Sequence, residues 1–232
     1  RSGQTYQQDK SLVLRKRSRH DEGKTFRSVT GAIHIARHLK SILTILFPLL
    51  AAFGAVAEEG AVNIRDGVPY LDIPTEDGPF RIERENDNSN EIFGDWALTS
   101  RPCPPYCIQP MIVADGITTI GELELLDFLQ DGETVIIDSR TNSWFQGGTI
   151  PGAINIPYNE ILDRLAILGC EPDFDGWDCQ NARQVALFCN GNWCGQSPTA
   201  IRNLLEVGYP AERIFYYRGG MQAWRMLGLS VK

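Results

Sequence analysis

Two short runs, Thr134-Val-Ile-Ile-Asp138 and Val185-Ala-Leu-Phe-Cys189, constrain this chain more than any other feature, because they are apolar at almost every position. A strand with one wet face alternates apolar and polar residues. An unbroken apolar run is covered on both faces, as in a parallel sheet between layers of helix. Ala153 to Pro157 and Arg213 to Tyr217 read as further strands, and helical segments fall between them. Thr119-Ile-Gly-Glu122 has capping-box spacing ahead of Leu123, Leu126 and Leu129, which share one side of a helix. Tyr158 to Leu168 reads as a second helix. Ser197-Pro198 opens a third, with Ser as N-cap and Pro at the first helical position. Gly219-Gly220 ends the last strand, and Met221 to Leu227 begins a final helix. The alternation predicts an α/β domain over 116–232, with a central, mostly parallel sheet flanked by helices.

Residues 58–115 read differently. Seven prolines from Pro69 to Pro110, and the polar run Glu83 to Glu91, leave no helical period. A short strand such as Pro79 to Glu83 fits. So proline-rich a stretch seldom buries a core of its own, which predicts an irregular extension packed on the following domain.

Charge sets the first 57 residues apart. Of 22 Lys and Arg and 29 Asp and Glu, ten and three lie in residues 1–40, leaving 12 basic and 26 acidic residues beyond. So acidic a body is a poor binder of nucleic acid through phosphate contacts. Arg37, His38 and Lys40 lead into an uncharged run of 17 residues, Ser41 to Ala57, that ends Ala55-Val56-Ala57. This is the pattern of a secretory signal, here about 36–57, and it predicts an exported, periplasmic protein. An uncleaved membrane anchor and a buried core helix are the other readings, although Pro48 and Gly54 weaken a spanning helix. Residues 1–30 fit a signal badly. A truncated start, or a reading frame extended upstream, would account for them; a disordered basic tail is the plainer reading.

Export changes what six cysteines mean, because disulfides persist in an oxidising compartment. Their spacing hints at three local couples, Cys103/Cys107, Cys170/Cys179 and Cys189/Cys194. Cys170 and Cys179 bracket an acidic loop that a disulfide would close, stabilising by roughly 2–4 kcal/mol. Cys103 and Cys107 read as a structural disulfide; a redox pair, or a soft-metal site with Met111, is the alternative. The three histidines, His20, His34 and His38, all fall in the head. Residues 58–232 therefore have none for acid–base catalysis or for a metal.

Chemistry points to Cys189-Asn-Gly-Asn-Trp-Cys-Gly-Gln-Ser197, where a cysteine ends a buried strand and a loop leads into a helix N-terminus. Such a turn aims backbone N–H groups at the sulfur, and the helix dipole adds positive potential. Cys189 is thus a candidate nucleophile; the competing reading is a structural cysteine paired with Cys194.

The stretch 118–232 resembles a rhodanese-like (sulfurtransferase) domain. The residues that carry the likeness are Ile136-Ile-Asp-Ser-Arg140, Gly147 to Pro157, Val185 to Ser197, and Tyr217-Arg-Gly-Gly-Met-Gln-Ala-Trp-Arg-Met-Leu-Gly228. The resemblance implies that Cys189 takes sulfane sulfur as a persulfide and passes it to a thiol or a cyanide-like acceptor. It implies that amides of the loop Asn190, Gly191, Asn192, Trp193, Cys194 and Gly195 cradle that sulfur, and that Asp138 and Arg140 are structural. No cofactor or resident metal is called for. The partner implied is a small sulfur-donor anion or a persulfide-bearing protein.

Three departures from the family pattern stand out. Thr149 replaces the signature histidine. The loop is about two residues longer, yet residues 190–197 contain no Lys or Arg, which argues against a phosphatase and for weak thiosulfate binding. Cys194 lies inside the loop and could act as a resolving thiol. Besides a sulfurtransferase, two readings stay open: a thiol–disulfide or persulfide relay through Cys189/Cys194, and a silent module that binds a partner through its extension.

Overall fold

A computed structural model describes residues 62–232. The basic head, the apolar run 41–57 and the three histidines lie outside the described residues.

The stretch read as irregular contains a hairpin of β1 (Tyr70–Thr75) and β2 (Gly78–Glu83), paired antiparallel from Tyr70 opposite Glu83 to Thr75 opposite Gly78. Alternation places Leu71 and Ile73 on the buried face, and Ile82 joins them across the pair. Each such side chain removed from water contributes about 1.5–3 kcal/mol. That is why a hairpin too short to stand alone is held against a larger core. The strand β3 (Thr118–Ile120) and helix α1 (Glu122–Asp131) follow.

The expected cap of α1 is displaced by two residues. Gly121 is the N-cap, and Glu124 Oε2 accepts its N–H at 2.9 Å, while Thr119 sits in β3. The buried stripe is Leu125, Leu126 and Leu129, whereas Leu123 faces solvent. Next come β4 (Val135–Asp138), the short α2 (Asn142–Gln146) and β5 (Ile154–Asn155).

Tyr158 to Leu168 is not an α-helix. Its N–H groups bond three residues back, with one 3₁₀ turn at Ile161–Arg164. Ile161, Leu165 and Leu168 are buried all the same. Helical spacing set which residues go inside, and tight successive turns satisfied it equally well.

The acidic loop is a small hairpin, β6 (Glu171–Asp173) with β7 (Gly176–Asp178), whose ends meet where the Cys170 and Cys179 sulfurs lie at disulfide distance. The chain then forms β8 (Val185–Phe188), α3 (Gln196–Glu206), β9 (Ile214–Tyr217) and α4 (Gly220–Met226).

Five strands make the central sheet in the order β3-β9-β8-β4-β5, every neighbouring pair parallel. Val135, Ile137, Val185, Leu187, Ile214 and Tyr216 point to one face, packed under α3 and the 3₁₀ segment. Ile136, Ala186, Phe188 and Tyr217 point to the other, where α1, α4 and the hairpin residues Leu71, Ile73 and Ile82 cover them. Two-sided burial is the physical reason that these runs carry no polar alternation. The C-terminal tail is stitched between layers. Glu83 and Ser230 exchange hydrogen bonds, and Thr149 and Lys232 exchange backbone bonds at 2.9 and 3.0 Å.

Candidate functional site

β8 delivers Cys189 to the C-terminal edge of the sheet, the edge at which open parallel sheets bind ligands. Its sulfur is buried and free, as is that of Cys194. The two cysteines of the third couple hinted at by spacing are both free thiols in this structure, and Cys194 Sγ donates to Gln196 Oε1 at 3.4 Å. Ser197 Oγ donates to Cys189 Sγ at 3.1 Å, and Cys189 in turn donates to the Cys194 carbonyl at 3.2 Å. Ser197 does not cap α3, as its position suggested. Gly195 is the N-cap, and the Ser197 hydroxyl serves the cysteine instead.

The two thiols are driven apart. Burial is the largest influence on Cys189 and pushes it up. Hydrogen bonds from the Cys194 thiol, the Ser197 hydroxyl and the backbone N–H groups of Ser197 and Gly191 outweigh it, bringing Cys189 down to about 7. Cys194 moves the other way: its bond to Cys189, burial and the neighbouring sulfur charge hold it protonated. The loop amides are thus divided, Gly191 and Ser197 serving Cys189, while Asn190 and Gln196 serve Cys194.

The remaining loop residues are held by neighbours far away in sequence. The side chain of Asn190 accepts from Arg140 Nη1 at 3.4 Å. The carbonyl of Asn192 accepts from Gln109 N at 2.8 Å, and Arg218 donates twice to the Gln109 carbonyl, at 2.7 and 3.1 Å. Trp193 meets Tyr106 edge-on at 4.8 Å, donates to Gln222 Oε1, and carries the Arg101 guanidinium over its ring at 4.3 Å.

Asp138 and Arg140 form a fully buried ion pair beneath the loop. Arg140 Nε and Nη2 and its backbone N–H all donate to the Asp138 carboxylate, and Thr149 Oγ1 adds a bond of 2.7 Å. The threonine found in place of histidine is therefore part of this support. No groups of three or more metal-ligating side chains occur among the described residues. Cys103 and Cys107 meet at disulfide distance.

α4 locks the loop from behind. Its first N–H groups, from Met221 and Gln222, donate to the carbonyls of Cys189 and Asn190 at 3.0 and 2.9 Å. This close approach requires Gly220, whose φ is +55°, and a Cβ there would lie 2.3 Å from the Cys189 carbonyl oxygen. Gly220→Ala is expected to cost at least about 2 kcal/mol in urea unfolding. Gly132 has a φ of +71° and open space around it, so Gly132→Ala should cost only about 1–2 kcal/mol, the price of the left-handed conformation alone. Equal losses at the two sites would refute the close-approach account.

A pocket of about 310 Å³ opens beside Cys194, walled by Tyr106, Trp144, Tyr158 and Trp193. Cys189 does not line it. The sequence pattern places Trp193 in the loop but does not tie the Ser197 hydroxyl, Gln222, Tyr106, Trp144 or Tyr158 to the sulfur. Only Ser197 left a trace, as a hydroxyl in the first turn after the loop.

A family profile described as the rhodanese-like domain matches residues 122–227. These residues form a rhodanese-like domain. An HTH-type transcriptional regulator of Mycobacterium tuberculosis is 36% identical over 112 residues, which are 48% of this chain and 43% of that protein. The chain thus spans less than half the length of that curated relative. A solved rhodanese-related protein of Thermoplasma volcanium is 26% identical, covering 50% of this chain and 97% of its own at a TM-score of 0.37. A human single-domain sulfurtransferase is 23% identical, covering 47% and 95% at a TM-score of 0.36. Within the rhodanese-like domain the match takes in Asp138, Arg140 and the whole Cys189 loop, but not Tyr106 or the hairpin.

Proposed function

We propose that the protein is a sulfurtransferase that carries sulfane sulfur as a persulfide on Cys189. The observation that carries this reading is the Ser197 hydroxyl and the Gly191 and Ser197 amides converging on a buried sulfur. In the first step the Cys189 thiolate attacks the outer sulfur of a donor such as thiosulfate. The donor's S–S bond breaks, its electron pair leaves with sulfite, and Cys189 becomes a persulfide. In the second, a nucleophile such as cyanide or a thiol attacks the outer sulfur and the thiolate is restored. Convergent donors steady the sulfur charge in both steps. The rhodanese-like family match supports the same chemistry.

The test is to incubate the protein with donor and cyanide, follow thiocyanate, and weigh the intact chain. A gain of one sulfur atom on Cys189 with turnover is expected; an unchanged mass and no thiocyanate would overturn the proposal. Because the thiolate is the reactive form, loading should rise with pH through about 7 and level off above it. Ser197→Ala removes a donor to the charged sulfur, so its midpoint should move up by about one pH unit. A midpoint that stays in place would show that the hydroxyl does not stabilise the thiolate.

A further inference from the structure

We propose that the wall built by Cys103 to Gln109 fits this pocket to sulfur compounds with an aromatic or apolar body and at most one negative charge. The proposal deepens the sulfur-transfer reading of Cys189 and rests on it for the word donor. The pocket is lined by the rings of Tyr106, Trp144, Tyr158 and Trp193 together with Pro105, Cys194 opens onto it, and uncharged polar groups of Asn190, Gln196 and Thr199 complete it. None of its lining residues is charged.

A dianion placed there would be desolvated with no charged group in the lining itself to offset it, which is costly. The volume of about 310 Å³ is also far more than a bare inorganic anion fills. Arg101 lies against the wall, its guanidinium 4.3 Å from the Trp193 ring centre and 5.1 Å from that of Tyr106. One cation behind an aromatic wall suits one negative charge on a ligand that stacks.

The wall is preformed. Cys103 and Cys107 close its loop at disulfide distance, Gln109 is bonded to Asn192 and Arg218, and Tyr106 packs on Trp193. Pro105 and Tyr106 lie outside the residues matched by the family profile, so this specificity would belong to this chain and not to the domain in general.

An aryl thiosulfonate satisfies these demands. Cys189 does not line the pocket, so the donor's terminal sulfur must reach past Cys194 to meet the Cys189 thiolate; the S–S bond would then break with the electron pair leaving on the aryl sulfinate, and the persulfide would form. The test compares benzenethiosulfonate with thiosulfate on the full chain, with cyanide as acceptor. The wild-type specificity constant should favour the aryl donor by more than about tenfold, and Tyr106→Ala should lower that ratio by about tenfold. A wild-type ratio near one, or a ratio unmoved by Tyr106→Ala, overturns the proposal. Isothermal titration of Cys189→Ser protein with benzenesulfinate and with sulfite gives a readout free of turnover. At least about tenfold tighter binding of benzenesulfinate is expected, and equal or undetectable binding overturns the assignment. If benzenesulfinate is preferred but neither donor loads Cys189, the ligand class stands and the sulfur-transfer reading falls.

Discussion

Replacing Cys189 with serine is expected to abolish sulfur loading and to lower thiocyanate release by at least about 10³-fold, since a hydroxyl cannot carry a persulfide. Cys194→Ser is the informative contrast. Serine keeps a hydrogen-bond donor beside Cys189, so loading should fall by about tenfold at most. Intact-mass measurement after donor treatment, followed by peptide mapping, reads both variants directly. The reverse pattern would move the nucleophile to Cys194, the thiol that lines the pocket. Cys189 is assigned as the nucleophile because it follows β8 directly and receives the Ser197 hydroxyl at 3.1 Å. Hydrogen bonds favour charge on Cys189, and that charge holds Cys194 neutral.

The second large effect is on stability. Asp138→Ala would leave the Arg140 guanidinium buried at zero exposure with its main counterion gone. Breaking a buried pair from one side costs about 3–5 kcal/mol, and urea unfolding should show a loss of that size. Gly148 O and Asn190 Oδ1 would still accept from Arg140, at 2.8 and 3.4 Å, but neither offsets its charge. Because Asn190 follows Cys189 directly, the variant should loosen the loop as well as the core. A loss under about 1 kcal/mol would mean that the pair contributes little. Removing both charges with apolar residues of similar volume should recover much of the stability, as expected for a pair whose desolvation nearly cancels its attraction.

What was legible in the sequence was what burial writes there. Val185 to Phe188 and Val135 to Ile137 are covered on both faces, so their runs are apolar throughout and their strands are plain. The cysteine at the end of such a run, with a helix beyond it, could be read as a possible nucleophile from order alone. Hydrogen-bond choices were harder to see. Ile161, Leu165 and Leu168 keep helical spacing in a segment that makes three-residue turns, and Ser197 has the residue type of a cap while its hydroxyl serves a sulfur. Of the hairpin only the second strand, Pro79 to Glu83, was legible; its partner was hidden because the pair offers only Leu71, Ile73 and Ile82 to the core, with Pro74 opposite Pro79 near its turn. Tyr106 and Trp193 lie 87 positions apart, and no periodicity can announce a contact of that range.

The stitched tail carries a consequence for where this fold begins and ends. Leu71, Ile73 and Ile82 share a core with Trp224 and Leu229, and Ser230 and Lys232 tie the last residues to Glu83 and Thr149. The segment that sequence comparison recognises is therefore not self-sufficient. Its apolar back is finished by material borrowed from both sides, and a boundary drawn at the recognised edges would cut through a continuous interior.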